Sequence, residues 1–165
     1  MTHSFTIDST IEGVSIDDFK RLAADTALHE AVCRRIPGDN LEIIESQIQD
    51  NIYTLRRAYN LQVNMPDIAK KLLKDVFRLK RTDIVNLHAL TSTIALGANL
   101  PLEANCNRSI TGDADKIHIS LNWQVKVKVP LVAGMLEKHA EGEIRKFSHL
   151  EIQIVEDELK KNLAV

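Results

Sequence analysis

One stretch near the end of the chain alternates without a break. Ile117, Ile119, Leu121, Trp123, Val125, Val127 and Val129 are all apolar, while His118, Ser120, Asn122, Gln124, Lys126 and Lys128 between them are all polar. A period of two places one set on a dry face and the other in water, so the residues predict a long strand from Lys116 to Val129. At the usual rise it would run ~45 Å, and a strand that long bends and twists rather than lying flat. Pro130 ends it and suits the first turn of a helix. From Leu131 to Leu163 the period changes to that of a helix. Leu136, Ala140, Ile144, Phe147, Leu150, Ile154 and Val155 follow one stripe, opposed by Glu137, Lys138, Glu141, Arg145 and Lys146. Thirty such residues span ~45 Å, so the last helix matches the last strand in length.

The rest of the chain supplies the other elements. Phe5, Ile7 and Ile11 share a parity in a first strand, Ser4 to Ile11. Ser15 with Asp18 is a capping-box variant that starts a helix, with Val14 and Phe19 at the staple positions. Asp25 reads as a second N-cap, and Pro37-Gly38 ends the helix carrying Leu28, Val32 and Ile36. Asn40 to Gln49 alternates imperfectly. Ile52 to Val63 alternates better, with Tyr53, Leu55, Tyr59 and Leu61 on one parity, and Asp50-Asn51 between them suits a hairpin turn. Asn64-Met65-Pro66-Asp67 opens a short helix with Ile68, Leu72 and Leu73 on its apolar side. Strands return from Val76 to Asn99, then weakly from Leu102 to Ile110, before the Thr111–Asp115 turn.

This order predicts an α+β helix-grip architecture: a curved antiparallel sheet of about seven strands wrapped around a long C-terminal helix, with two short helices after the first strand. No repeat, low-complexity tract or linker interrupts residues 1–165, so one domain is expected. The chain has one Trp, two Tyr and four Phe. A wide space between sheet and helix must then be filled mostly by Leu, Ile and Val, which favours an incompletely filled interior, although smaller residues also pack a tight core.

Net charge is -2, which provides no basic field for nucleic acid. No apolar run approaches the ~18 residues of an integral membrane segment. Met1 to Glu12 lacks the basic-then-apolar order of a secretory leader. Cys33 and Cys106 form no Cys-x-x-Cys pair and read as free thiols in a reducing cytoplasm. The sequence leaves the oligomeric state open.

Three stretches carry a family resemblance. Val125-Lys126-Val127-Lys128-Val129-Pro130-Leu131-Val132-Ala133-Gly134-Met135-Leu136-Glu137 resembles the last strand and helix start of a bacterial branch of the START-like superfamily, also called SRPBCC or helix-grip, with Ala133 standing where the pattern has Gly. Leu28-His29-Glu30-Ala31-Val32 and Met65-Pro66-Asp67-Ile68-Ala69 agree with it. The branch is described only as a domain of unknown function. The resemblance implies a cavity between sheet and helix that holds apolar molecules in many relatives. Those relatives include lipid or steroid carriers, cyclases, hydrolases and partner-binding proteins. It carries over no catalytic residues, and fold alone does not choose among these activities.

Candidate ligand contacts follow from the expected inner faces. Tyr53, Tyr59 and Trp123 lie on apolar strand parities, where a ring offers apolar area and one polar handle, and the same positions suit plain core packing. Met135 and Phe147 on the last helix carry the same two readings. His139 is either a cavity-facing polar group or a rim histidine paired with Glu143 one turn on. The six histidines include no His-x-His or His-Glu-x-x-His, and neither cysteine has a recognisable His partner, so no metal or nucleophile is assigned. No nucleotide-cofactor signature is present, and no cofactor is expected. The basic groups Arg34-Arg35, Arg56-Arg57, Lys70-Lys71, Arg78-Lys80-Arg81 and Lys160-Lys161 read as solvated faces. The leading expectation is a noncatalytic binder of a small apolar or amphipathic molecule. A cyclase, dehydratase or hydrolase using the same cavity, or a partner-binding protein with a filled core, remain the alternatives. The enzyme reading requires a titratable group inside a pocket beside another polar residue.

Overall fold

The structure is a computed structural model that describes residues 2–73 and 75–164. Its elements run β1 (His3–Glu12), α1 (Ile16–Ala23), α2 (Thr26–Arg35), β2 (Asp39–Gln49), β3 (Ile52–Asn60), α3 (Asp67–Leu72), β4 (Arg78–Asn86), β5 (Thr91–Ala98), β6 (Leu102–Gly112), β7 (Lys116–Val127) and α4 (Ala133–Leu163). All pairings are antiparallel in one open sheet of order β1-β7-β6-β5-β4-β3-β2. Consecutive strands from β2 to β7 are neighbours, and β1 returns to the far side of β7. The curved sheet and the long C-terminal helix make a helix-grip fold.

The alternation in β7 sets the register of the molecule. Ile117, Ile119, Leu121, Trp123, Val125 and Val127 are all buried, and Ile117 and Val125 are completely so. β1 pairs with β7 continuously from His3 opposite Val125 to Glu12 opposite Lys116, which puts Phe5, Ile7 and Ile11 on the same inner face. β6 runs the full length from Leu102 to Gly112 and sits between β5 and β7, although its side chains alternate poorly in sequence. The imperfect alternation of β2 has a structural cause: its register against β3 shifts twice, between Asp39 and Glu42 and between Ile43 and Glu45. Such bulges re-aim side chains at a sheet edge.

The local signals act as their chemistry requires. Ser15 Oγ accepts from the Asp18 amide at 3.0 Å, and Asp25 Oδ1 accepts from the Ala27 amide at 3.0 Å. Asp50 and Asn51 both have positive φ, 52° and 64°, as a tight two-residue hairpin turn demands.

Several details differ from the sequence expectations. β7 ends at Val127 rather than Val129, and α4 begins at Ala133 rather than Leu131. Leu131 adopts φ 71° and lies in solvent, so Pro130 and Leu131 form a turn instead of the first helical residues. In α3 the buried residue is Ala69, while Leu72 is exposed. Glu137, expected among the polar residues opposing the stripe, is one of the most deeply buried side chains. Its Oε2 accepts from the Val127 amide at 2.9 Å, the point where β7 leaves the ladder. A backbone donor that would otherwise be orphaned is thereby satisfied.

α4 packs against β7 and β1 on the inner face, and α1 and α2 pack against its second half. The helix thus lies nearer one side of the sheet, and a gap opens between it and β3–β6. Among the described residues no helix is long and apolar enough to cross a membrane.

Candidate functional site

The gap holds two neighbouring cavities. An outer cavity of about 160 Å³ is lined by Tyr59, Leu61, Leu79, Leu96, Phe147 and Ile144, among others. Exposed residues at its rim, Asn64, Leu72 and Pro101, mark the side from which solvent reaches it. An inner cavity of about 100 Å³ lies deeper, closed at one end by Phe19 and Ala23 of α1 and by Leu28, His29 and Val32 of α2. Arg81, Trp123, Ser148 and Glu151 border both cavities, and so form the partition between them.

The partition belongs to a buried cluster of charge. Arg81 holds Asp83 with a two-pronged contact, Nε to Oδ1 at 2.7 Å and Nη2 to Oδ2 at 2.9 Å. Its third arm, Nη1, reaches Glu151 Oε2 on α4 at 2.8 Å. Arg57 stands directly opposite Arg81 in the β3–β4 ladder, a like-charge pairing that is unfavourable by itself. Glu151 lies between them, with Arg57 Nη2 3.9 Å from its Oε1. Burial alone would raise the carboxyls of Asp83 and Glu151, but Arg81 and Arg57 outweigh it, holding Asp83 well below the usual carboxylate range and lowering Glu151. The same partners hold the Arg81 guanidinium above its usual value against the opposing effect of burial.

This cluster corrects the sequence expectation for Arg57 and Arg81, which are buried rather than solvated. The signal was present in the strand parity. Arg57 falls between Leu55 and Tyr59, and Arg81 and Asp83 fall between Leu79 and Val85, all on inward positions. Arg108 and His29 were also missed. Arg108 occupies the inward parity of β6 opposite Leu121, lines the inner cavity and donates from Nε to Ser92 Oγ at 2.7 Å. His29 Nε2 hydrogen-bonds the Ala23 carbonyl at 2.8 Å, and its ring lies 4.7 Å from that of Tyr53. Burial lowers the His29 pKa, so the ring is neutral at ordinary pH. Its place four residues before the buried Cys33 is the helical spacing that could have found it.

The candidate contacts are distributed unevenly. Tyr59, Trp123, His139 and Phe147 come together around the outer cavity. Tyr53 lines the inner cavity instead, and its hydroxyl shares a hydrogen bond with Ser46 Oγ at 2.9 Å. Met135 is 53% exposed and lines neither cavity, because it sits one residue from Leu136 and therefore about 100° around the helix. His139 does not pair with Glu143. Its Nε2 donates to the Asn64 carbonyl and ties α4 to the loop at the cavity rim. Two buried polar atoms have no partner among the described residues: Trp123 Nε1 and Glu143 Oε2. Trp123 borders both cavities and Glu143 lines the outer one. Buried polar atoms without partners are uncommon, and here both belong to cavity walls.

A helix gripped by a curved sheet, with a divided and mostly apolar gap between them, is the fold of START-like proteins. Within that class the chain belongs to the family described as "Protein of unknown function (DUF2505)", whose model matches residues 6–157. No curated protein shows significant sequence similarity to it. Among solved structures it resembles the ZhuI aromatase/cyclase of a Streptomyces species, at 13% identity and TM-score 0.67, covering 99% of this chain and 96% of the other. It also resembles norcoclaurine synthase from Thalictrum flavum, at 15% identity and TM-score 0.60, covering 99% and 88%. A START superfamily protein from Mycobacterium smegmatis matches at 14% identity and TM-score 0.57, covering 94% and 97%. At these identities the likeness is one of fold.

Proposed function

We propose that the protein acts as a single domain that binds a small apolar or amphipathic molecule in the gap between sheet and C-terminal helix, without transforming it. The observation that carries this reading is the outer cavity of about 160 Å³, walled by Leu, Val, Ile and aromatic side chains and including Trp123 and Glu143, whose Nε1 and Oε2 have no partner among the described residues. An apolar protein cavity of ~150 Å³ accommodates a benzene-sized guest. Apolar burial contributes ~25 cal/mol per Å² before the cost of association. Micromolar affinity, ~8 kcal/mol, therefore requires more than ~300 Å² of buried ligand surface. A lone ring offers less than that, so the ligand extends beyond the outer cavity. Tyr59, Trp123, His139 and Phe147 are the proposed contacts of its outer part. The two buried, unpaired thiols of Cys33 and Cys106 fit a reducing, cytoplasmic setting.

A second reading, chemistry on the bound molecule, draws support from the titratable Glu143 on the cavity wall one turn from His139. The fold of the aromatase/cyclase is compatible with it. Native mass spectrometry of the purified protein after exposure to lipid and metabolite extracts tests the binding reading. A retained small molecule of unchanged mass supports it. A retained molecule released with altered mass favours the second reading. No adduct across several extracts, with a solid interior in a crystal structure, rejects both.

A further inference from the structure

The lining of the inner cavity carries more positive than negative side chains. Arg57, Arg81 and Arg108 face only two carboxylates, Asp83 and Glu151, in the cluster around the inner cavity. Arg81 uses its three arms on those two acids, and Arg57 leans on Glu151. Arg108 makes its hydrogen bond to Ser92 Oγ and, among the described residues, has no ion pair. It is half-buried and lines the inner cavity. Burial lowers its pKa, with Asp83 partly opposing and Arg81 adding to the effect. A guanidinium nonetheless stays charged at neutral pH. The neighbouring thiols and His29 supply no compensating negative charge, since burial raises the pKa of both cysteines and lowers that of the histidine.

A half-buried guanidinium on a cavity wall, with no ion pair among the described residues, offers its free N–H groups to an anion. We infer that the inner cavity receives a single carboxylate, so that the ligand is an amphiphilic carboxylic acid with its head at Arg108 and its apolar body in the outer cavity. This inference rests on the binding reading above and names the ligand's chemical class. Three features select this class. The excess charge is one, which a carboxylate cancels, whereas a phosphate monoester carries ~1.5–2 negative charges. The guanidinium fork matches a carboxylate with two parallel hydrogen bonds. Trp123 sits diagonally from Arg108 on the inner face, opposite Cys106 in the ladder, and borders both cavities with an Nε1 donor that has no partner among the described residues, a candidate for a second hydrogen bond to the head group. Orientation follows from Glu143. Its carboxyl on the outer wall repels an anionic head there and leaves that end to the apolar body. The partition consists of side chains from β4, β7 and α4, and passing the ligand requires the Arg81–Glu151 contact to open.

The test is calorimetric titration of the full chain with decanoate, decanol and decyl phosphate, repeated with Arg108→Met and Arg108→Lys, and with acetate as a head group lacking a body. We expect decanoate to bind wild-type protein ten- to a hundredfold more tightly than decanol, the range of a charge-assisted hydrogen bond. Decyl phosphate should bind more weakly than decanoate and acetate should not bind measurably. Arg108→Met should abolish the preference for decanoate over decanol, and Arg108→Lys should retain part of it. If Arg108→Met fails to fold, the wild-type series and Arg108→Lys decide the matter. Equal binding of decanoate and decanol, or a preference that survives in Arg108→Met, overturns the carboxylate assignment while leaving the binding reading intact. Tighter binding of the phosphate also overturns it. Absence of binding by all of them overturns both.

Discussion

Arg81 on β4 and Glu151 on α4 meet at 2.8 Å across the gap between sheet and helix. Most of that gap is spanned by apolar contact or left open, and this pair links the two layers through charge while bordering both cavities. Removing one partner of a buried pair leaves the other charged and unmatched, which costs ~3–5 kcal/mol. We expect Glu151→Leu to destabilise the protein by about 3 kcal/mol in urea unfolding, more than Glu156→Leu on the exposed side of the same helix. Equal losses would mean that the bridge contributes nothing specific.

The acid side of the stability profile should report the same cluster. Asp83 has its carboxyl depressed in the folded protein, chiefly because Arg81 and Arg57 overcome the opposing effect of burial. A depressed folded-state pKa stabilises the protein above the unfolded value of ~3.9, and that stabilisation is lost as pH falls towards the folded value. Glu151 contributes with the same sign. Stability measured by urea unfolding should therefore fall steeply below about pH 4. Asp83→Asn should flatten that decline while lowering stability at pH 7. An unchanged acid slope in Asp83→Asn would contradict the ion pairing described here.

Glu137 acts at the other end of α4. Its Oε2 accepts from the Val127 amide, where β7 turns away from the sheet. Glu137→Gln keeps an acceptor oxygen and should cost under about 1 kcal/mol, whereas Glu137→Ala orphans a buried donor and should cost about 1–3 kcal/mol. Chemical denaturation distinguishes the two.

Both cysteines should resist modification in the native state. Burial pushes the Cys106 thiol up to about 11 and raises that of Cys33, so neither is a thiolate near neutral pH. Labelling with a thiol reagent at pH 8 should be slow until denaturant is added, when both react. Rapid labelling of Cys106 in native protein would place it outside the core.

The legibility of this fold differs from element to element for physical reasons. β7 and the stripe of α4 are periodic over many residues, so sequence alone placed Ile117 to Val127 on the dry face. The N-caps at Ser15 and Asp25 and the turn at Asp50-Asn51 are local chemistry and needed no tertiary information. Arg57 and Arg81 resisted the same reasoning. Their parity pointed inward, but a lone buried charge is so costly that solvent is the natural assignment. Glu151, the acid that makes their burial tolerable, lies on another element far along the chain, and no local pattern reveals it. Arg108 was hidden because β6 mixes polar and apolar residues on its inner face. Met135 was misplaced by one position on a helix, which is enough to turn a side chain into solvent.

Trp123 is the chain's one tryptophan and borders both cavities, so its fluorescence reports on the gap itself. Titration with decanoate, followed by tryptophan emission, addresses the occupancy of that gap most directly. The expected result is a saturable change in emission, which Ala104→Leu should weaken by filling the outer cavity beside Trp123 without unfolding the protein. Ligand binding detected by calorimetry with no change in Trp123 emission, or with full affinity in Ala104→Leu, would place the site elsewhere and contradict the account.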